Sequence, residues 1–203
     1  ASWDRWDVDE NADIVISILN ELGISKCNIV GWSMGSAVAM SIAKKNKSIV
    51  DKLVLITPFS WLGGAVYNDK LAFKIFVSFV RIRERLFPNF NPKSKFSFLR
   101  KANAINDEYT EWAWNNLHKS KDDFIYADGG RFVVPYDARP WIENIEAETL
   151  VITGGKDKLV PEETSNDVVT RLKNVKVKTF PDAGHSVPWT HENELLNELK
   201  EFF

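Results

Sequence analysis

The stretch CNIVGWSMGSAVAM, Cys27 to Met40, decides the fold. Its first five residues, Cys27 to Gly31, form a short apolar run that reads as a strand buried on both faces. From Met34 to about Lys45 the apolar residues suit a helix. Between strand and helix lies Gly31-Trp32-Ser33-Met34-Gly35, the pattern G-x-S-x-G. Such a turn reverses the chain sharply and lifts the serine hydroxyl clear of the backbone, while flanking glycines leave room for strand and helix to approach. The five residues alone recur by chance in roughly a few per cent of chains this long. The strand before them and the helix after them therefore carry more weight than the pattern. The plainer reading is a helix N-cap serine after a glycine turn.

Working outward, Asp7 and Glu10 are spaced as N-cap and N3 of a capping box. Val8, Ala12, Val15, Leu19 and Leu22 follow at helical spacing, and Gly23 ends that helix. Downstream, Lys52 to Thr57 reads as a strand stopped by Pro58. Thr149 to Gly154 is a buried strand, Pro161 opens a helix running to about Leu172, and Val175 to Phe180 is a further strand. A last amphipathic helix runs from about His191 to Phe203. Alternating strands and helices predict an α/β fold, with a mostly parallel sheet covered by helices on both faces. The division expected is core at 1–58, a helical cap insertion at 59–139, and core again at 140–203. The insertion is aromatic-rich and is broken at PNFNP (Pro88 to Pro92) and DGG (Asp128 to Gly130). It would lie over the carboxyl ends of the strands, where ligands bind in such sheets.

A serine hydroxyl is a weak nucleophile until a base takes its proton, and the base needs a third group to orient it. GGKDKLVP, Gly154 to Pro161, puts Asp157 just past one strand. PDAGHSVPW, Pro181 to Trp189, puts His185 just past the next. The order Ser33, Asp157, His185 is the one this fold type uses. Asp157 could instead only form a turn. Asp182 is a rival acid, but its place near His185 gives it a turn role. Of the three histidines, His118 falls in the insertion and His191 at the start of the last helix, where it reads as solvated or structural. Cys27 reads as core. The Met34 N–H, one residue past the nucleophile, is an expected oxyanion donor.

At these residues the sequence resembles the α/β-hydrolase superfamily over nearly its whole length. GWSMG with GGKDKLVP and AGHSVP looks most like the carboxylesterases of the pimeloyl-carrier-protein methyl ester esterase group, which carry a tryptophan before the nucleophile. The resemblance implies a serine carboxylesterase working through an acyl-enzyme, with Trp32 and Met34 at the oxyanion or substrate, no cofactor and no metal. A substrate linked to a carrier protein, as in biotin synthesis, is the implied special case. Lipases, lactonases and thioesterases share these motifs. Family members begin with further strands and a His-Gly loop that supplies a second oxyanion donor. Too few residues precede Cys27 to hold them, so the chain reads as lacking the N-terminal strands, with the Cys27 strand left as a bare apolar edge. A non-catalytic hydrolase-fold module is the other class this leaves open. A nucleotide-binding domain is disfavoured, because neither G-x-G-x-x-G nor a P-loop is present.

Composition bounds the partners. Net charge is −2 and the isoelectric point is near 6.0, which argues against a nucleic-acid binder. A single cysteine fits a reducing compartment. No apolar run approaches the ~20 residues that cross a bilayer, and no secretory signal is visible, so a cytoplasmic protein is expected. Eight tryptophans are many for this length. Asp69 to Lys101 carries nine basic residues, among them Arg81, Arg83, Arg85, Lys93, Lys95, Arg100 and Lys101, against the two acids Asp69 and Glu84. Phenylalanines are interleaved with them. A basic, apolar cap suits an acidic acyl carrier protein presenting an acyl group. It equally suits a solvated face over an apolar lid, or a lipid surface.

Overall fold

The computed structural model describes residues 7–61, 82, 86, 136–160 and 162–203. Helix α1 spans Val8–Glu21, strand β1 Cys27–Trp32, helix α2 Met34–Lys45 and strand β2 Val50–Ile56. After a 3-10 turn at Ile142–Asn144 come β3 Glu148–Gly154, α3 Glu162–Arg171, β4 Val175–Phe180, the short α4 Val187–Thr190 and α5 Glu192–Phe202. The four strands form one parallel sheet in the order β1-β2-β3-β4. The α/β architecture expected from the alternation is the one observed.

Period-2 alternation along β2 builds two cores. Leu53 and Leu55 point to the side of α1, α2 and α3, where they meet Ala12, Met40, Ile42, Val151 and Val168. Val54 and Ile56 point to the other side, with Ile152 of β3, against Val187 of α4 and Leu195 and Phe202 of α5. Each such side chain taken fully out of water contributes roughly 1.5–3 kcal/mol, so β2, apolar on both faces, is the spine of the molecule.

Four local expectations need correction. Strand β1 is not buried on both faces. Asn28 is exposed, Val30 is 47% exposed, and Cys27 is only half buried. The reason is position: β1 stands at the edge of the described sheet, and of its residues Trp32, but not Val30, packs against the cluster that α5 forms with β2, β3 and β4. At the start of α1, Asp7 caps the helix but does so through the Asp9 N–H, at 2.6 Å, so it acts as a simple N-cap instead of closing a box with Glu10. Leu22 is the C-cap of α1 and is exposed, not part of its packed face. The last helix is preceded by the separate short α4, which the sequence reading did not include.

The end of α1 shows how sequence becomes local structure. Gly23 takes φ +69°, a left-handed conformation cheap only for glycine. Gly23 N–H then donates to Asn20 O, and Ile24 N–H to Leu19 O. This paired closure is the Schellman ending, and it turns the chain into β1.

The chain leaves the core beside the point where it returns. Trp61 bridges to Asp137 in antiparallel fashion, and Ala138 N–H donates to Ser60 O at 2.7 Å. Arg139 lies over the Trp61 ring and pairs with Asp137. Of the stretch between, only Ile82 and Leu86 are described, both helical and exposed. The basic residues from Lys70 to Lys101, the breaks at PNFNP and DGG, and His118 lie outside the described residues, as does Pro161. No helix among the described residues is long and apolar enough to cross a membrane.

Candidate active site

Strand register places the site. Trp32 aligns with Ile56, and Ile56 with Ile152, while Gly154 aligns with Phe180. The loops after β1, β3 and β4 therefore open at one edge of the sheet, with β2 lying between the strand that ends at Ser33 and the strand that leads to Asp157.

Ser33 occupies the turn between β1 and α2 at φ 55°, ψ −120°. A non-glycine residue held there costs on the order of 1–3 kcal/mol, so its neighbours must fix it. Ser33 N–H donates to Ile56 O at 2.9 Å, and Ser33 O accepts from both the Ser36 N–H and the Ser36 hydroxyl. The side chain makes no helix-capping bond, which removes the plain N-cap reading. Of the two flanking glycines, only Gly31 is required sterically. A Cβ on Gly31 would come within 2.3 Å of Gly35 O, whereas a Cβ on Gly35 meets nothing within 4 Å among the described residues. The Met34 N–H stands at the first position of α2 and has no backbone acceptor among the described residues.

The three residues singled out from sequence converge. His185 Nε2 lies 2.8 Å from Ser33 Oγ, and His185 Nδ1 lies 2.8 Å from Asp157 Oδ2. The Asp157 and His185 side chains are 8% and 5% exposed. Asp157 Oδ1 is itself oriented, accepting the Leu159 and Val160 N–H groups at 2.8 and 3.1 Å. That leaves Oδ2 for the imidazole. A carboxylate on Nδ1 keeps the proton there and leaves Nε2 as an acceptor facing the serine.

Two glycines that the sequence reading did not single out bring the acid and base loops together. A Cβ on Gly154 would lie 2.3 Å from Gly184 O, and one on Gly155 would lie 2.7 Å from Pro181 O. Gly155 N–H donates to Phe180 O and Lys156 N–H to Ala183 O. The signal was present as the doubled glycine at the end of β3. Its meaning depended on knowing which loop lay alongside.

The rival candidates sit elsewhere. Asp182 is exposed and pairs with Lys156 at 2.6 Å, and that hydrogen bond and charge hold its carboxyl below the usual range. His191 holds the N-cap position of α5 without a side-chain capping bond; its Nδ1 is hydrogen-bonded to Thr190 and its ring is set against Phe180. Trp32 does stand beside the site, but its indole N–H donates to His185 O at 3.0 Å. Thr57, at the end of β2, is a second non-glycine residue with positive φ, 46°, and its buried hydroxyl has no partner among the described residues. Nothing in the sequence announced it. Among the described residues no group of three or more His, Cys, Asp and Glu side chains could hold a metal ion.

Comparison with known proteins agrees with the fold. The chain is 28% identical over 192 residues to a 2-hydroxy-6-oxo-6-phenylhexa-2,4-dienoate hydrolase of Burkholderia cepacia, covering 89% of this chain and 64% of that protein. It is 27% identical to a 2-hydroxy-6-oxononadienedioate/2-hydroxy-6-oxononatrienedioate hydrolase of Comamonas testosteroni, with the same coverage. This chain therefore spans just under two thirds of the length of both. An esterase from Exiguobacterium antarcticum superposes with a TM-score of 0.77 at 18% identity, over 97% of this chain and 73% of that one. The family model for the alpha/beta hydrolase fold matches residues 1–192, and the chain belongs to that family.

Proposed function

We propose that this protein is a serine hydrolase that cleaves an acyl substrate through an acyl-enzyme on Ser33. The observation that carries the proposal is the unbroken chain Ser33 Oγ–His185–Asp157, in which the Ser33 side chain makes no helix-capping bond. Ser33 Oγ attacks the substrate carbonyl while His185 Nε2 takes its proton. The Met34 N–H donates to the oxyanion that forms. His185 then returns the proton to the leaving group as the bond to the carbonyl carbon breaks. A water, deprotonated by His185, releases the acid and restores Ser33. Asp157 stays ionised throughout and holds the imidazole.

The first reading of the broken bond is a carboxylic ester, which needs these groups together with the second oxyanion donor that the resemblance implies. The second is a carbon–carbon bond beside a ketone, and the relatives named 2-hydroxy-6-oxo-dienoate hydrolases favour it. Both use the same nucleophile and differ in the leaving group that must accept the proton. Turnover of p-nitrophenyl butyrate without loss of the visible absorbance of a 2-hydroxy-6-oxo-dienoate supports the ester. The reverse result supports the carbon–carbon bond. Turnover of neither, with no covalent labelling of Ser33 by a fluorophosphonate, sinks the hydrolase proposal and leaves a non-catalytic module.

Docking of an acidic acyl carrier protein on the basic stretch Arg81, Arg83, Arg85, Lys93, Lys95, Arg100 and Lys101 extends the ester reading. Its support is the charge pattern alone. Faster, salt-sensitive hydrolysis of a carrier-bound ester over the free ester bears it out. A jump in rate at substrate micelle formation points to a lipid surface instead.

A further inference from the structure

We infer that Trp32 is a positioning residue that sets the catalytic base by gripping the main chain of His185. The inference rests on the reading of Ser33 and His185 as nucleophile and base. It assigns the indole N–H to the protein, where the resemblance implied a contact with substrate or oxyanion.

Two adjacent residues of one turn hold the same histidine. Ser33 Oγ meets the imidazole at Nε2, and Trp32 Nε1–H donates to the carbonyl of that histidine at 3.0 Å. The indole and imidazole centroids are 5.9 Å apart at 38°. Trp32 is itself fixed, as the last residue of β1 in register with Ile56. The Trp189 ring backs the indole at 5.8 Å, and Trp189 stands in α4, whose N-cap Ser186 directly follows His185. On its other side that loop is held by the acid loop, through Lys156 N–H to Ala183 O and the close approach of Gly154 to Gly184. Among the described residues, His185 thus sits in a loop clamped from both sides, and on the nucleophile's side its main chain is gripped by a side chain one residue from the nucleophile.

The consequence is specific. Spacing between Ser33 and His185 is set locally, by neighbours in sequence, rather than through the length of the sheet. A base held in near-attack geometry speeds proton removal without strengthening ground-state binding, and small misplacements are expensive in rate. Losing the grip should slow the covalent step and leave affinity alone.

The test compares the parent chain with Trp32→Phe and with a version carrying β-(3-benzothienyl)alanine at position 32, which keeps the ring shape and lacks the N–H. Saturation kinetics of Ser33 phosphonylation by a fluorophosphonate separate the covalent rate constant from the inhibitor's binding constant. Both variants are expected to lose ~10-fold in the covalent step, with binding unchanged within about twofold. An unchanged covalent step in either variant, or weaker binding with an unchanged covalent step, overturns the inference. Should Trp32→Phe unfold, hydrogen exchange of the nitrogen-15-labelled Trp32 indole in the parent protein still decides. Slow exchange supports the bond to His185 O, and exchange as fast as an exposed indole overturns it. Labelling that survives Ser33→Ala would sink the triad reading and this inference with it. Ser33-dependent labelling at parental speed in the position-32 variants sinks the inference alone.

Discussion

The turn that carries Ser33 and the pair of loops that carry Asp157 and His185 solve one problem by different means. The Ser33 turn is local. Strand, serine and helix are contiguous, the strain sits in one residue at φ 55°, and its hydrogen bonds run to Ser36 three residues away and to Ile56 on the next strand. The acid and base loops are 28 residues apart in sequence and meet only because β3 and β4 are parallel neighbours. Their contact is made by missing side chains, Gly154 and Gly155, and by main-chain bonds across the gap. A local device survives distant change. A device made by contact between loops is as sensitive as its tightest approach.

That contrast can be broken at several points, in descending order of effect. Ser33→Ala should abolish covalent labelling by a fluorophosphonate outright, as read by intact-protein mass spectrometry. Asp157→Asn preserves the shape of its loop but loses the charge that keeps the Nδ1 proton in place. By analogy with other serine triads, a fall of about 10⁴-fold in labelling rate is expected, and a fall below tenfold would show that another group orients His185. Gly154→Ala drives a methyl into Gly184 O, so it should cost about 3 kcal/mol in denaturant unfolding and also slow labelling, because it pushes the base loop away. Gly31→Ala meets Gly35 O at the same distance and should lower stability by a similar amount. Gly35→Ala sharpens the comparison most cleanly. Its Cβ meets nothing within 4 Å among the described residues, in the first turn of α2, so stability should change by ~1 kcal/mol or less, in the stabilising direction. If Gly35→Ala were as damaging as Gly31→Ala, the steric account of the turn would be wrong.

Much of this was legible beforehand. The strand, turn and helix around Ser33 follow from residues adjacent in the chain, and so does the glycine ending of α1. Place relative to the strand ends was enough to prefer Asp157 over Asp182, which sits only three residues from His185, and His185 over His191, which opens the last helix. What failed was burial. Cys27–Gly31 is apolar, which suggested two covered faces, yet Val30 lies on the edge strand of the described sheet, outside the cluster formed with α4 and α5. Leu22 fits the helical period of α1 and still ends exposed, because it is the C-cap. Periodicity ranks the positions that want a core, but it does not say whether a neighbour arrives to cover them.

By itself, the sequence determined the type of fold, the turn that presents Ser33, and the identity and order of its two partners. Those are properties of short stretches, where glycine, apolar period and chain order act without reference to distant atoms. Tertiary structure alone decided that Gly154 and Gly155 have no room to grow. It also decided that the Trp32 N–H is directed at His185 O, and that β1 is half exposed. Each of these depends on which surface lies within a few ångströms of another, and that is settled only when parallel strands bring loops from distant parts of the chain to one edge of the sheet.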